Sequence, residues 1–280
     1  MKLRHNPFAR KGIAQIRRLQ RFAHRCQSTK ACYHDNPPLV CNSFPKSGTH
    51  LLLQVLQAFP GKVHYGSFIA TTPPIRFRRR SDRDVLGRIR AIAPGEIVPA
   101  HLYFSEWAAA SLSGLNCVHF FIYRDLRDVI LSEANYLANM AWWHALHRPF
   151  RKVKSDIERI RLSLHGIPDR FAEYPDIAER FGFYEGWLDR DDTLSIRFED
   201  LIGANREIAV RKMAGFYSRR TGIQLNADNL IKDALHLIRP EASHTFHRGE
   251  VGRGVKAMPD DLRLEFNEIA GELMKRLGYM

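Results

Sequence analysis

The stretch Asn42-Ser43-Phe44-Pro45-Lys46-Ser47-Gly48-Thr49-His50 constrains this chain more than any other. A short apolar run, Leu39-Val40-Cys41, precedes it, and an apolar-periodic segment from Leu51 to Phe59 follows, so the stretch is expected to be strand, loop and helix. Such a layout makes an anion site. Lys46 supplies a mobile cation, and Gly48 lets the backbone turn with its N–H groups toward a ligand. Ser47, Thr49 and the first helical N–H groups add donors at the positive end of the helix dipole. A nucleotide-kinase P-loop places glycines on either side of four residues and then Lys-Ser/Thr, whereas here lysine comes before Ser-Gly-Thr and no earlier glycine stands in the loop. The pattern therefore predicts a phosphate-type guest without Walker A spacing.

The 280 residues, 45% of them hydrophobic, suffice for one large α/β domain. A formal net charge of +13 calls for an anionic partner. Much of that excess is local: Lys2, Arg4, Arg10, Lys11, Arg17, Arg18, Arg21 and Arg25 occur before any acidic residue. Residues 1–35 are accordingly expected to be a basic N-terminal arm, with residues 36–280 forming a single domain. Within the arm Ile13, Ile16, Leu19 and Phe22 share one face of a helix, which suits either packing or peripheral contact with an acidic membrane. The positive N-terminus lacks the continuous apolar core of a secretory signal. The longest uncharged stretch, Trp107 to Tyr123, is broken by Ser111-Leu112-Ser113-Gly114, which argues against a membrane span. Cys41 and Cys117 sit in apolar strand patterns, so a reducing, cytoplasmic compartment is expected. His24, Cys26, Cys32 and His34 can be drawn as a zinc set, but the cysteine spacing is wider than such sites use, and no metal is expected.

Further strands are expected at Glu96–Leu102, Asn116–Tyr123 and Thr193–Phe198, each followed by a helical pattern. The second is nearly continuous in apolar residues, as strands buried on both faces are. Strands alternating with helices predict a three-layer α/β fold around a parallel sheet. Residues 60–95, with Thr72-Pro73-Pro74 and the basic run Arg76–Arg80, read as a long connection of the kind that carries binding function.

Written as Pro-Lys-Ser-Gly-Thr, the loop resembles the 5′-phosphosulfate loop of the sulfotransferases that use 3′-phosphoadenosine 5′-phosphosulfate (PAPS), and the order of parts over residues 38–278 is similar to that family. The resemblance implies a P-loop NTPase-like sulfotransferase fold and PAPS as co-substrate. It implies Lys46, Ser47, Gly48, Thr49 and His50 around the 5′-phosphosulfate, and Arg124 with Ser132 at the 3′-phosphate. Phe198, in Phe-Glu-Asp-Leu, and Arg248-Gly249 in a late basic loop complete the cofactor set. The catalytic group it implies is His101 as base, Lys46 and Ser132. The partners implied are PAPS, its product 3′-phosphoadenosine 5′-phosphate (PAP), and a small-molecule, lipid or glycan acceptor, without specific nucleic acid. The sequence departs from the family at Leu51, where an aromatic is common, at His50 and Pro99, where threonine and lysine are common, and at His247 and Gly254, where arginine and tryptophan are common. Two other classes are weighed: a P-loop-like phosphotransferase, disfavoured by loop spacing, and a basic membrane- or nucleic-acid-binding module, which would depend on residues 1–35.

Overall fold

The computed structural model describes residues 7–238 and 251–280. Two helices, α1 (Pro7–Cys26) and α2 (Lys30–Asp35), come first, and Pro37-Pro38, which helices cannot continue through, lead into β1 (Leu39–Ser43). There follow α3 (Thr49–Leu56), β2 (Ile69–Ala70), α4 (Asp82–Arg90), β3 (Ile97–His101), α5 (Glu106–Gly114), β4 (Val118–Tyr123) and α6 (Leu126–Asn139). A helical stretch, α7 (His147–Lys152), α8 (Asp156–His165) and α9 (Ile177–Glu185), separates these from β5 (Thr193–Arg197). The chain continues through α10 (Phe198–Ile202), α11 (Arg206–Thr221), α12 (Ala227–Leu237), α13 (Arg253–Ala257) and α14 (Asp260–Arg276). Helix starts follow local chemistry: Ser81, Ser105, Asp125 and Asp176 each accept a hydrogen bond from a first-turn N–H of α4, α5, α6 and α9.

The five strands form one all-parallel sheet in the order β2-β3-β1-β4-β5, with β1 at the centre. Alternation along the strands divides the core into two. Val40, Val98, Ala100 and Phe121 face a layer that includes α5, α6, α8, α9 and α14. Leu39, Cys41, Ile97, Phe120 and Ile122 face the layer of α3, α11 and α12. The expected three-layer α/β architecture is therefore present.

One feature departs from the sequence expectation: the connection 60–95 contains an edge strand, β2, too short to leave a period in the sequence. Pro99 lies inside β3, within the strand expected there. Ile97 N–H donates to the Val63 carbonyl and the His101 carbonyl accepts from Thr71 N–H, so this set of β3 residues faces the β2 side. Pro99 falls there in the gap between the Val63 bridge and β2, which pairs only with Ala100 and His101, so its missing N–H breaks no ladder bond.

Beneath the sheet's carboxyl edge sits a buried polar cluster. Glu133 on α6 accepts from Arg180 (2.6 Å), Tyr174 (2.7 Å) and Ser163 (2.7 Å), and the Arg180 guanidinium lies 4.0 Å from the Tyr174 ring centre. No helix among the described residues is long and apolar enough to cross a membrane, and no set of three metal-ligating side chains converges among them. Removing the Glu133 carboxylate strands a buried arginine. Glu133→Ala should destabilise the fold by about 3–5 kcal/mol, read as a fall in the urea midpoint without change in slope. An unchanged midpoint would show that water reaches Arg180.

Candidate active site

The loop after β1 has the geometry of a cradle. Lys46 and Gly48 both adopt positive φ, 67° and 100°, and Gly48 opens α3 as its N-cap. Glycine is required at that position twice over: the backbone is left-handed, and a Cβ would stand 2.5 Å from the Phe198 ring. Ser47 is fully buried and its hydroxyl has no hydrogen-bond partner among the described residues, an unusual state for a buried polar atom and one that a bound anion would relieve. His50 is exposed on the first turn of α3.

The Lys46 side chain does not fold back over its own loop. Its ammonium lies 3.9 Å from the centre of the Tyr136 ring on α6. Burial lowers its pKa to about 8, opposed by the nearby Glu133 carboxylate and assisted by Arg124. Glu133 and Tyr136 were not singled out in the sequence, although Tyr136 stands four residues after Ser132, one turn along the same helical face.

On one side of β1, β3 delivers His101. Its Nδ1 is 3.0 Å from the Ser43 carbonyl and 3.1 Å from the Ser43 hydroxyl, which in turn is 2.6 Å from Thr49 Oγ1. A carbonyl only accepts, so Nδ1 carries the proton and Nε2 keeps its lone pair. Burial pushes the His101 pKa down to about 4, partly offset by the Ser43 hydrogen bond, and this keeps the imidazole neutral. Phe68 packs edge-on against the ring at 5.0 Å. On the other side of β1, β4 is followed directly by Arg124, whose guanidinium donates to Asp128 (2.9 Å) and lies 4.4 Å from the Phe198 ring centre.

Asp128 has a second task. Its carboxylate also accepts from the N–H groups of Gly252 (3.0 Å) and Gly254 (2.6 Å), tying the start of α13 onto α6. A Cβ on Gly254 would stand 2.2 Å from the Arg127 backbone, so the residue found where the family often has tryptophan leaves no room for any side chain. Arg248 and Gly249, expected from the sequence to close on the 3′-phosphate, and His247 lie outside the described residues. The described end of the same loop brings Arg253 to the site, a cation that sequence reading did not single out.

Lys46, Gly48, Thr49, His50, His101, Arg124, Ser132, Phe198 and Arg253 all line one cavity of about 800 Å³. Ser47, in the same loop, is fully buried. The rest of its lining is largely apolar, with Phe68, Phe77, Tyr103, Tyr136, Trp143 and Tyr184 beside the polar groups His144, Glu173 and Arg180. Cations with loop donors and an aromatic set thus share one cavity.

Structural comparison finds the same architecture elsewhere. The mouse sulfotransferase SULT7A1 complexed with PAP superposes with a TM-score of 0.58 at 19% identity, over 85% of this chain and 84% of that one. Retinol dehydratase, crystallised with androsterone and the inactive cofactor PAP, gives 0.54 at 12% identity over 88% and 84%. Its complex with retinol and PAP gives 0.52 at 13% identity over the same shares. This chain has the sulfotransferase fold. In sequence it matches no family profile and no curated protein.

A buried lysine should titrate abnormally. In a reductively methylated sample the NMR signal missing from Lys46→Met should titrate near pH 8, and adenosine 3′,5′-bisphosphate should raise that value, because a bound anion favours the protonated amine. A signal titrating near 10.5, or one unmoved by nucleotide, would contradict this siting.

Proposed function

We propose that the protein is a PAPS-dependent sulfotransferase that transfers a sulfuryl group to a hydroxyl, or alternatively an amine, of an acceptor held against the apolar lining of the cavity. The observation that carries this reading is the convergence of Lys46, His101 and Arg124 from the carboxyl ends of three adjacent parallel strands, β1, β3 and β4, on one cavity. Ligands of open α/β sheets gather at that edge. The fold's structural neighbours carry PAP in their crystals, which supports the same nucleotide here.

The residues present fit such a guest. The orphaned Ser47 hydroxyl, the left-handed Gly48 and the start of α3 suit the 5′ end, while Arg124 and Ser132, joined by Arg253, suit the 3′-phosphate. Phe198 would keep the Arg124 guanidinium flat and aimed. The family resemblance adds Arg248 and Gly249, outside the described residues, to the same phosphate. PAPS supplies the sulfuryl group and a leaving group on which negative charge grows as the S–O bond breaks. Lys46 stabilises that charge more in the transition state than before it, which is the condition for acceleration. His101 takes the acceptor proton at Nε2, its other nitrogen being committed to Ser43. Ser132 would orient the bisphosphate beside Lys46, so its catalytic part is positional.

The low His101 pKa decides the acid limb of the pH profile. A base must be neutral, so kcat/KM should hold as pH falls through 6 and drop only on approach to about 4. Lys46 must be charged, so kcat/KM should fall as pH rises through about 8, the free-enzyme value. The largely apolar lining favours a small lipophilic alcohol or lipid over a glycan. A soluble, cytoplasmic setting fits these parts.

Two experiments test the reading. With PAPS and a panel of phenolic, lipid and glycan acceptors, His101→Ala should cut sulfuryl transfer by about two to four orders of magnitude, with adenosine 3′,5′-bisphosphate affinity within a few-fold of the unchanged chain. Lys46→Ala should cost at least about a hundredfold in turnover. Retained transfer in either variant would remove that residue from the mechanism. By calorimetry, adenosine 3′,5′-bisphosphate should bind at least about tenfold more tightly than AMP, and Arg124→Ala should erase the difference. Equal affinities in the unchanged chain would refute the 3′-phosphate site.

A further inference from the structure

Helix α1 is attached by the wrong side for a packed amphipathic helix. Its polar face meets the domain: Arg21 pairs with the fully buried Glu96 at 2.7 Å, Arg25 Nε donates to the Arg90 carbonyl at 3.1 Å, and the His24 ring meets Tyr65. The apolar stripe points outward, with Ile16 56%, Leu19 68% and Phe22 65% exposed. Three large apolar side chains in a row on a solvated helix mark an interaction surface.

We propose that α1 is an interfacial helix that seats the protein on an anionic lipid surface. Charge complementarity selects this occupant: residues 1–25 carry eight Lys and Arg and no acid, and Arg17 and Arg18 are exposed beside the stripe. Nucleic acid fits less well, because Arg21 and Arg25, the cations such a partner would engage, are turned to the protein body.

The site itself supports the same partner. Glu96, which holds Arg21, also accepts from Ser67, so α1 and the loop Gly66-Ser67-Phe68 that lines the cavity are joined at one carboxylate. At another part of the cavity rim, Ala145 N–H donates to the Pro74 carbonyl, bringing together two turns whose Ile75 and Trp142 are 70% and 78% exposed. Exposed tryptophan and isoleucine beside an apolar cavity suit a lipid–water interface.

The test uses the full chain and does not depend on the reaction. In sedimentation with vesicles of phosphatidylcholine, alone or with a third phosphatidylglycerol, binding to the anionic vesicles should be at least about tenfold stronger and should weaken at high salt. The triple variant Ile16→Ser, Leu19→Ser, Phe22→Ser should lose at least about tenfold in that binding while adenosine 3′,5′-bisphosphate affinity, measured by calorimetry, is unchanged and reports an intact fold. Equal binding to both vesicles, or a triple variant that binds like the unchanged chain, would overturn the proposal. Light scattering supplies the rival outcome: a dimer that the triple variant converts to monomer would assign the stripe to a second copy of the chain.

Discussion

The site depends on how the ends of β1 and β3 are held after their ladder stops. The last backbone register pair is Asn42 with Ala100, and beyond it side chains take over. The fully buried Asn42 amide donates to the Leu102 carbonyl at 3.1 Å and accepts from Leu102 N–H at 2.9 Å and Ser43 N–H at 3.0 Å. Trp187 donates to the same Leu102 carbonyl at 2.9 Å. One residue further along β1, Ser43 holds His101. A buried amide with these bonds made is costly to disturb, since breaking any one strands a polar atom away from water. His101 and the loop after β1 are therefore fixed to each other by one short polar seam, and the direction of the imidazole follows from it.

Around that seam stand two cations of the cavity lining, Lys46 and Arg124. Both are largely withdrawn from water, and each has a companion: an aromatic face for the lysine, Asp128 for the arginine. Asp128 cannot serve Arg124 alone, because the same carboxylate anchors the Gly252 and Gly254 N–H groups. An anion arriving at Arg124 would thus share a guanidinium already oriented by Asp128 and by Phe198, and the loop leading into α13 is fastened to the same point. Preorganisation of this kind limits the reorganisation that binding requires.

Much of this was legible in the sequence because it rests on local rules. Apolar runs ending in Asn42-Ser43, His101 and Tyr123-Arg124 marked strand ends, and a glycine between Ser47 and Thr49 marked the turn. What was not legible is tertiary. Strand β2 has two residues and no measurable period. Tyr136, Glu133 and Arg253 reach the cavity because α6 and α13 both border it, which no spacing within one segment reports. Gly254 looked like a lost tryptophan, yet the backbone approach of α13 to Arg127 leaves no volume there for one. Segments 60–95 and 139–185 also line the cavity, the first through irregular chain and the second through α8, α9 and the turns beside them, and composition alone carries little about how such short pieces meet.

The arm shows the same limit in another form. Helical periodicity identifies the stripe of Ile16, Leu19 and Phe22, but a periodic pattern cannot say which face meets the domain. That choice was made by Glu96, a buried carboxylate beside Ala93 N–H, Ser67 and Arg21. A fully buried carboxylate needs a cation or several donors, and Arg21 is the cation within reach. Satisfying Glu96 turns the arginine side of α1 inward and leaves the apolar side facing out. The polar attachment fixes the orientation of the helix, and the exposed stripe is a consequence of it.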